Sequence, residues 1–171
     1  MPRILQYILL FLVVTALQIF LFDNLQLSLY IHPFVYVAFI LLLPMEIKGY
    51  LLLLLAAGTG IVMDFFSGAP GVNTIATTAM AFCRPSILRW FVGKDLVGDG
   101  GIPNAYKIGR GKFIRYATIL IVIHAAVFFT METLSFSHAL FTFLRVLSSV
   151  AGSLIVVWVV QLLFVTKAPL R

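Results

Sequence analysis

The feature that most constrains this chain is a series of apolar runs, most of them about as long as a bilayer is thick. A membrane-spanning helix needs about 20 apolar residues, with a range of roughly 17–25. The second run reaches that length only if Leu25–Ile31 continues it, so a tilted or broken helix stays open there. We assign six spans, at about residues 4–22, 27–43, 49–65, 72–88, 116–134 and 139–165.

The composition agrees with a membrane protein. The chain is 62% hydrophobic and 11% charged, whereas soluble domains carry about a quarter charged residues. No run alternates with period two, the pattern of an outer-membrane strand. We therefore predict an all-α protein with about six transmembrane helices in a single domain over residues 1–171. Its one cysteine, Cys83, lies in an apolar run, where we expect it to pack as a small side chain.

The basic residues predict the orientation, because cytoplasmic segments collect Lys and Arg. With the N-terminus in the cytoplasm, the outer segments hold Asp23, His32, Asp64, Glu132 and His138, and Arg145 is the one basic residue outside the cytoplasmic set. The inner segments hold Arg3, Lys48, Arg84, Arg89, Lys94, Lys107, Arg110, Lys112, Arg115, Lys167 and Arg171. We expect both termini in the cytoplasm, and we attribute the net charge of +6 to topology rather than to nucleic-acid binding.

Two further expectations concern the ends of the spans. The first run is longer than the 7–15-residue core of a secretory signal and lacks a small-residue cleavage site, so we expect an uncleaved span. The sizeable connection is a cytoplasmic loop over about residues 90–112. Its glycines argue against a helix across its middle.

The stretch Gly58–Gly71 is the most informative part of the sequence. Asp64 lies at the end of a long apolar run. An Asp near the middle of a membrane span costs about 2.5–3.5 kcal/mol on insertion scales, so such residues usually have a role or a partner. The Gly68-Ala69-Pro70-Gly71 tail is strong turn chemistry. We predict two packed helices that meet at a tight corner with Asp64 in it.

Other polar residues inside the spans are candidates for structural or partner contacts. Arg145 lies roughly 9 Å into the sixth span, where an arginine either snorkels outward or pairs with an acid, here Asp64 or Glu132. We expect His124 to bond a neighbouring helix or a backbone carbonyl rather than to handle protons. The basic cluster before the fifth span anchors topology or docks an acidic partner, and its members are Lys107, Arg110, Lys112 and Arg115.

Catalytic patterns are not indicated. The histidines show no metal-ligand spacing, and neither a Gly-x-Ser-x-Gly elbow nor a His-Glu-x-x-His helix is present in the sequence. Lys107-Ile-Gly-Arg-Gly-Lys112 lacks the spacing of a phosphate loop. We expect no enzyme activity, cofactor or metal, and an intramembrane enzyme ranks last among the functions considered.

The order of features resembles the rod shape-determining protein MreD family of bacteria. The resemblance rests on a short span that ends in Leu41-Leu42-Leu43-Pro44, the motif from Gly60 through Asp64, Ser67 and Gly68 to Gly71, and a fourth span closing on Arg84-Pro85. It covers the whole chain in length and span count, although the Gly-rich loop near Asp99 is longer than the family pattern. The candidate structural or partner-binding residues are Gly60, Asp64, Ser67, Gly68, Gly71, Arg84 and Arg145.

The resemblance implies a function without catalysis. Family members are components of the cell elongation machinery in the inner membrane. They bind MreC, a single-span periplasmic protein, and through it connect to MreB, RodA and a class B penicillin-binding transpeptidase. The fold it implies is similar to the substrate-binding subunits of energy-coupling-factor transporters. The remaining expected partners are membrane lipids.

A second function stays open. A transporter subunit that captures a small solute needs a concave outer pocket with converging polar groups. The sequence supplies a thin set of such groups in the outer half: Asp64, Asn73, Thr74, Glu132 and Arg145.

Overall fold

The computed structural model describes residues 3–22, 32–133 and 139–164, and all regular elements in these ranges are helices. Asp23, His138, Lys167 and Arg171 lie outside the described residues. The helices are α1 (Arg3–Ala16, continued by the π-helical turn Leu17–Phe22), α2 (Val37–Leu42), α3 (Gly49–Ser67), α4 (Val72–Val92), α5 (Lys94–Gly98), α6 (Arg110–Thr133) and α7 (Ala139–Phe164).

Within the described residues, four helices are long and apolar enough to cross a membrane: Ile4–Phe22, Gly49–Ser67, Arg110–Glu132 and Thr142–Phe164. Large apolar side chains cover their outer faces, as with Phe20, which is 77% exposed, and Leu163, which is 71% exposed. Contact of such apolar side chains with lipid is favourable, whereas their exposure to water costs free energy. The prediction of a helical membrane protein is therefore confirmed. Helix α4 is also long enough to cross a membrane, at about 32 Å, but it carries too many polar residues to count as a candidate span by composition.

The second apolar segment, predicted over residues 27–43 with a tilted or broken helix left open, is broken in its described part. Residues 27–31 lie outside the described part of the chain. From His32 to Val35 the backbone is non-helical, and α2 then runs for six residues, about 9 Å, which is too short to span a bilayer. All six residues of α2 are buried. The apolar run reflects burial inside the protein, and hydropathy alone cannot tell such burial from contact with lipid.

The short helix α2 forms the centre of the bundle. It contacts α1, α3, α4, α6 and α7, so the long helices surround it. An aromatic cluster packs beside its N-terminal side, where Phe34 lies 4.7 Å from His124 and 4.9 Å from Phe128 between ring centroids. The short helix α2 is thus the core of this protein, and the long helices enclose it.

Two ends of the bundle can be distinguished. We call the end that holds the α3–α4 turn the corner end, and the opposite end, where α4 finishes and α6 begins, the basic end. Ser67, Glu132 and Gln18 line one cavity, so α1, α3 and α6 all finish at the corner end. This alternation agrees with the predicted up-and-down order, while the side of the membrane stays a prediction.

The loop at the basic end is shorter than the predicted range of 90–112. Helix α4 extends to Val92, α5 occupies part of the range, and α6 already begins at Arg110. The middle of the loop is non-helical, as the glycines predicted. It packs onto the bundle, because Gln161 of α7 accepts a hydrogen bond from the Ala105 N–H (3.0 Å) and Glu46 accepts one from the Gly101 N–H (2.5 Å).

Helices α3 and α4 approach most closely at Gly60. A Cβ atom on this residue would lie 2.3 Å from the Thr74 Cα and 2.9 Å from the Asn73 carbonyl oxygen. Both of those atoms belong to the backbone and cannot move aside cheaply. Glycine is therefore required for this helix pair, in the manner of small residues at membrane helix contacts.

We predict that Gly60→Ala destabilises the protein by about 1–3 kcal/mol, because the added methyl group forces α3 and α4 apart. The matched control is Gly58→Ala, two residues earlier in α3, where a Cβ meets nothing within 4 Å. Thermal unfolding of both variants in the same detergent measures the difference. Equal melting temperatures for the two variants would contradict the close approach.

Candidate functional site

Asp64 caps helix α4 from across the corner. Its carboxylate accepts hydrogen bonds from the Asn73 N–H (2.8 Å), the Thr74 N–H (3.0 Å) and the Thr74 hydroxyl (2.6 Å). The first N–H groups of a helix have no intrahelical partner, and a carboxylate there also interacts favourably with the helix dipole. Asp64 therefore lies at the corner between α3 and α4, and its partners there are two backbone N–H groups and the Thr74 hydroxyl rather than a cation.

The glycines of the motif make the turn possible. Gly68 has φ +67° and ends α3, while Gly71 has φ +86° and precedes the first residue of α4. Positive φ at these values is strained for residues with a side chain and unstrained for glycine. Gly60, Asp64, Ser67, Gly68 and Gly71 thus all belong to one helix-turn-helix corner.

A chain of hydrogen bonds leads from this corner into the bundle. The Asn73 side-chain amide donates to the Ser67 hydroxyl (3.1 Å), and its carbonyl oxygen accepts from the Tyr36 hydroxyl (2.8 Å). The Tyr36 oxygen is also 2.8 Å from Nε2 of His124. Since the Tyr36 proton goes to Asn73, His124 donates through Nε2. His124 bonds a neighbouring element, as we predicted, and a proton-handling role stays untested.

The non-helical backbone before α2 is bonded by side chains from other helices. The Val35 N–H donates to Gln18 Oε1 (2.7 Å), the Phe34 N–H to the Ser153 hydroxyl (2.8 Å) and the His32 N–H to the Ser149 hydroxyl (3.0 Å). Irregular backbone at membrane depth is tolerated only inside protein or beside a water-filled cavity, because lipid offers no partner. Three polar side chains therefore replace the helical bonds that this segment lacks.

A cavity of about 140 Å³ adjoins this segment at the corner end. Its walls combine polar and apolar side chains. They are Gln18, His32, Tyr36, Met63, Ser67, Ala69, Asn73, Phe128 and Glu132. At about 30 Å³ per molecule in liquid water, the volume corresponds to a few water molecules.

Arg84 is buried at the other end of α2, with 1% of its surface exposed. Its guanidinium donates to the carbonyl oxygens of Leu43, Leu41 (3.5 Å) and Pro44 (3.4 Å). Nε donates to the Tyr116 hydroxyl (2.9 Å), which in turn donates to the Leu41 carbonyl (2.9 Å). The last carbonyls of a helix carry partial negative charge, so they compensate a buried cation.

Arg145 lies near the start of α7 and pairs with Glu132 of α6. The closest nitrogen and oxygen are 2.9 Å apart, and the guanidinium also lies 4.5 Å from the centre of the Phe129 ring. Of the two acids that the sequence offered, Glu132 is the partner, since the Asp64 oxygens bond the start of α4. The pair joins the corner ends of α6 and α7.

The structure therefore groups the candidate residues in three places. Five of them form the corner, Arg145 lies at the same end on α7, and Arg84 is about 17 Å along α4 from Asn73. All described members of the set are engaged in holding helices in position. Among the described residues, no three His, Cys, Asp or Glu side chains group as metal ligands.

Sequence reasoning missed the roles of Gln18, Tyr36 and Tyr116. Gln18 is fully buried in the π-helical turn that ends α1, a feature often found at functional positions. A glutamine inside the most apolar span is itself a signal, because polar side chains in membrane helices usually face the protein interior. Its partner, backbone 17 residues later, could not be read from a pattern.

Comparison of this chain with protein-family models, with curated protein sequences and with solved structures finds no match.

We predict that Tyr116→Phe destabilises the protein by about 1–3 kcal/mol, because the change leaves the Leu41 carbonyl and Arg84 Nε without their shared partner. Tyr106→Phe serves as the control, since Tyr106 is exposed and removal of an exposed hydroxyl costs under about 0.5 kcal/mol. Unfolding monitored by circular dichroism in detergent compares the two. A Tyr116→Phe protein as stable as the control would contradict the arrangement around Arg84.

Proposed function

We propose that this chain is a non-enzymatic inner-membrane component of the bacterial cell elongation machinery, where it binds MreC and helps to position lateral peptidoglycan synthesis and maintain rod shape. One observation carries the proposal. Two of the three segments on which the resemblance to the MreD family rests meet in space: Arg84 bonds the carbonyls of Leu41, Leu43 and Pro44. The third segment, from Gly60 to Gly71, forms the corner at the other end of α4.

The use of the polar side chains supports a scaffold over an enzyme. Asp64 binds backbone at the start of α4, Arg84 binds backbone at the end of α2, and Arg145 pairs with Glu132. Charged groups in membrane spans are costly, and those used in this way fix the positions of helices. A rigid bundle presents a defined surface to a partner helix or domain.

The corner end offers a surface for that partner. Phe65 is 82% exposed and Phe66 is 58% exposed, at the end of α3 beside a turn held by Asp64. Exposed aromatic side chains on a rigid element are typical contact residues in protein interfaces. With the predicted orientation this corner faces the periplasm, where MreC would meet it. MreB, RodA and a class B penicillin-binding transpeptidase would connect through MreC.

Solute capture is the second candidate, and the cavity beside Tyr36 is the observation in its favour. Its volume of about 140 Å³ is below the roughly 300–1,000 Å³ of typical small-molecule sites. Asn73 and Gln18 in its wall already bond Tyr36 and Val35. A vitamin-sized ligand would need the bundle to open, so the scaffold proposal ranks first. Saturable binding of a vitamin by the purified protein would reverse that order.

We predict that tagged protein purified from its native membrane in mild detergent retains MreC, and that Phe65→Ser with Phe66→Ser lowers the retained amount severalfold without changing thermal stability. The control is Phe82→Ser, an equally exposed phenylalanine in the middle of α4. Asp64→Ala lowers both retention and melting temperature, because the N–H groups of Asn73 and Thr74 lose their acceptor.

Two results bear on the proposal as a whole. Wild-type protein that never retains MreC contradicts it, as does deletion of the gene without any rounding of rod-shaped cells. If the wild-type protein retains MreC and the variant with both Phe65→Ser and Phe66→Ser retains it equally well, only the corner is removed from the proposed interface.

A further inference from the structure

A groove of about 280 Å³ lies between α6 and α7 near the basic end. Its lining side chains are all apolar, and they include Phe113, Ile114 and Ala117 of α6 and Leu154, Ile155 and Trp158 of α7. Ile114 is 46% exposed and Ile155 is 68% exposed, so the groove opens sideways, toward lipid in a membrane-embedded bundle. Nothing in the function proposed above uses it.

Arg110 is the first residue of α6 and precedes the groove residues on that helix. Residues three and four apart share a helix face, so Arg110 shares the face of Phe113 and Ile114, one turn nearer the helix start. At about 100° per residue, Lys112 and Arg115 lie on other faces of the same turns. Arg110 is exposed, and within the described part of the chain it forms no ion pair.

We propose that this groove binds one anionic phospholipid, with the first part of an acyl chain against the exposed side chains of Ile114 and Ile155 and the phosphate at Arg110. The combination of an apolar channel and a cation at its basic end matches the two parts of a lipid. Basic residues between membrane helices are typical sites for anionic head groups. The chain segment Phe113–Ala117 rises about 6 Å, which suits the upper part of one acyl chain.

The same length argues against a partner helix in the groove. A transmembrane helix presents about 30 Å of apolar surface, and the groove would receive only about one turn of it. A protein partner would therefore leave most of its contact face unmatched here. A single lipid chain needs no longer channel, and it remains attached to the bilayer at its other end.

Native mass spectrometry of the purified full-length protein tests the proposal, with phosphatidylglycerol and phosphatidylethanolamine as the two probes. We expect retained phosphatidylglycerol and little phosphatidylethanolamine. Arg110→Gln lowers the apparent affinity for phosphatidylglycerol about fivefold, the loss that corresponds to one basic residue at an anionic head group. Lys112→Gln and Arg115→Gln, on other faces of the helix, leave the affinity within twofold.

The groove itself is tested by filling it. Ile114→Trp is expected to reduce retained phosphatidylglycerol, whereas Val122→Trp, a similarly exposed position on α6 outside the groove, is not. Inorganic phosphate does not compete at equal concentration, because it cannot occupy the apolar part.

Three outcomes overturn the proposal. Equal retention of both lipids shows that the net negative charge of the head group is not recognised. An equal loss for Lys112→Gln and Arg110→Gln shows a diffuse basic surface instead of a site. A polypeptide cross-linked through Ile155→Cys in the native membrane, with lipid binding unaffected by Arg110→Gln, assigns the groove to a protein partner. Since Arg110 is exposed, its variant folds even if Ile114→Trp does not.

Discussion

A peptide group without a hydrogen bond is expensive in hydrocarbon, and the segment from His32 to Pro44 brings several such groups into the centre of this bundle. Its non-helical part, residues 32–35, lacks intrahelical hydrogen bonds for its N–H groups. The short helix α2 adds carbonyl groups at its C-terminal end that have no partner within the helix. The bundle supplies donors and acceptors for both. Gln18, Ser149 and Ser153 accept hydrogen bonds from the N–H groups before α2, while Arg84 and Tyr116 donate to the carbonyls of Leu43 and Leu41 at its C-terminal end.

The same principle explains the corner. Asp64 accepts hydrogen bonds from N–H groups in the first turn of α4. An acid is costly in a membrane span, but here it serves as the acceptor for N–H groups that have no partner within the helix. Gly60 then allows α4 to pack close to the helix that carries Asp64. Gln18, Ser149, Ser153, Asp64 and Arg84 thus all bond backbone groups. This shared use of polar side chains is the ground on which the scaffold proposal stands.

The sequence predicted the corner well because its signals are local. Asp64, Gly68 and Gly71 lie within one turn region, and each has a specific conformational or energetic reason to be there. The sequence left a tilted or broken helix open for the second span, and the described part is broken. Hydropathy could not decide this, because it measures how apolar a segment is and not whether lipid or protein surrounds it. The carbonyl partners of Arg84 lie about forty residues earlier in the chain, and no spacing rule reveals them. Arg145 was limited to two acids by its depth, and the geometry then selected Glu132.

Amide hydrogen exchange in lipid nanodiscs tests the central claim most directly. The account predicts that the N–H groups of Phe34 and Val35 exchange as slowly as those inside α2, although they lie outside any helix. It also predicts that Ser153→Ala speeds exchange at Phe34 in particular. Exchange at both positions as fast as in the exposed turn α5 would contradict the burial and bonding of this segment.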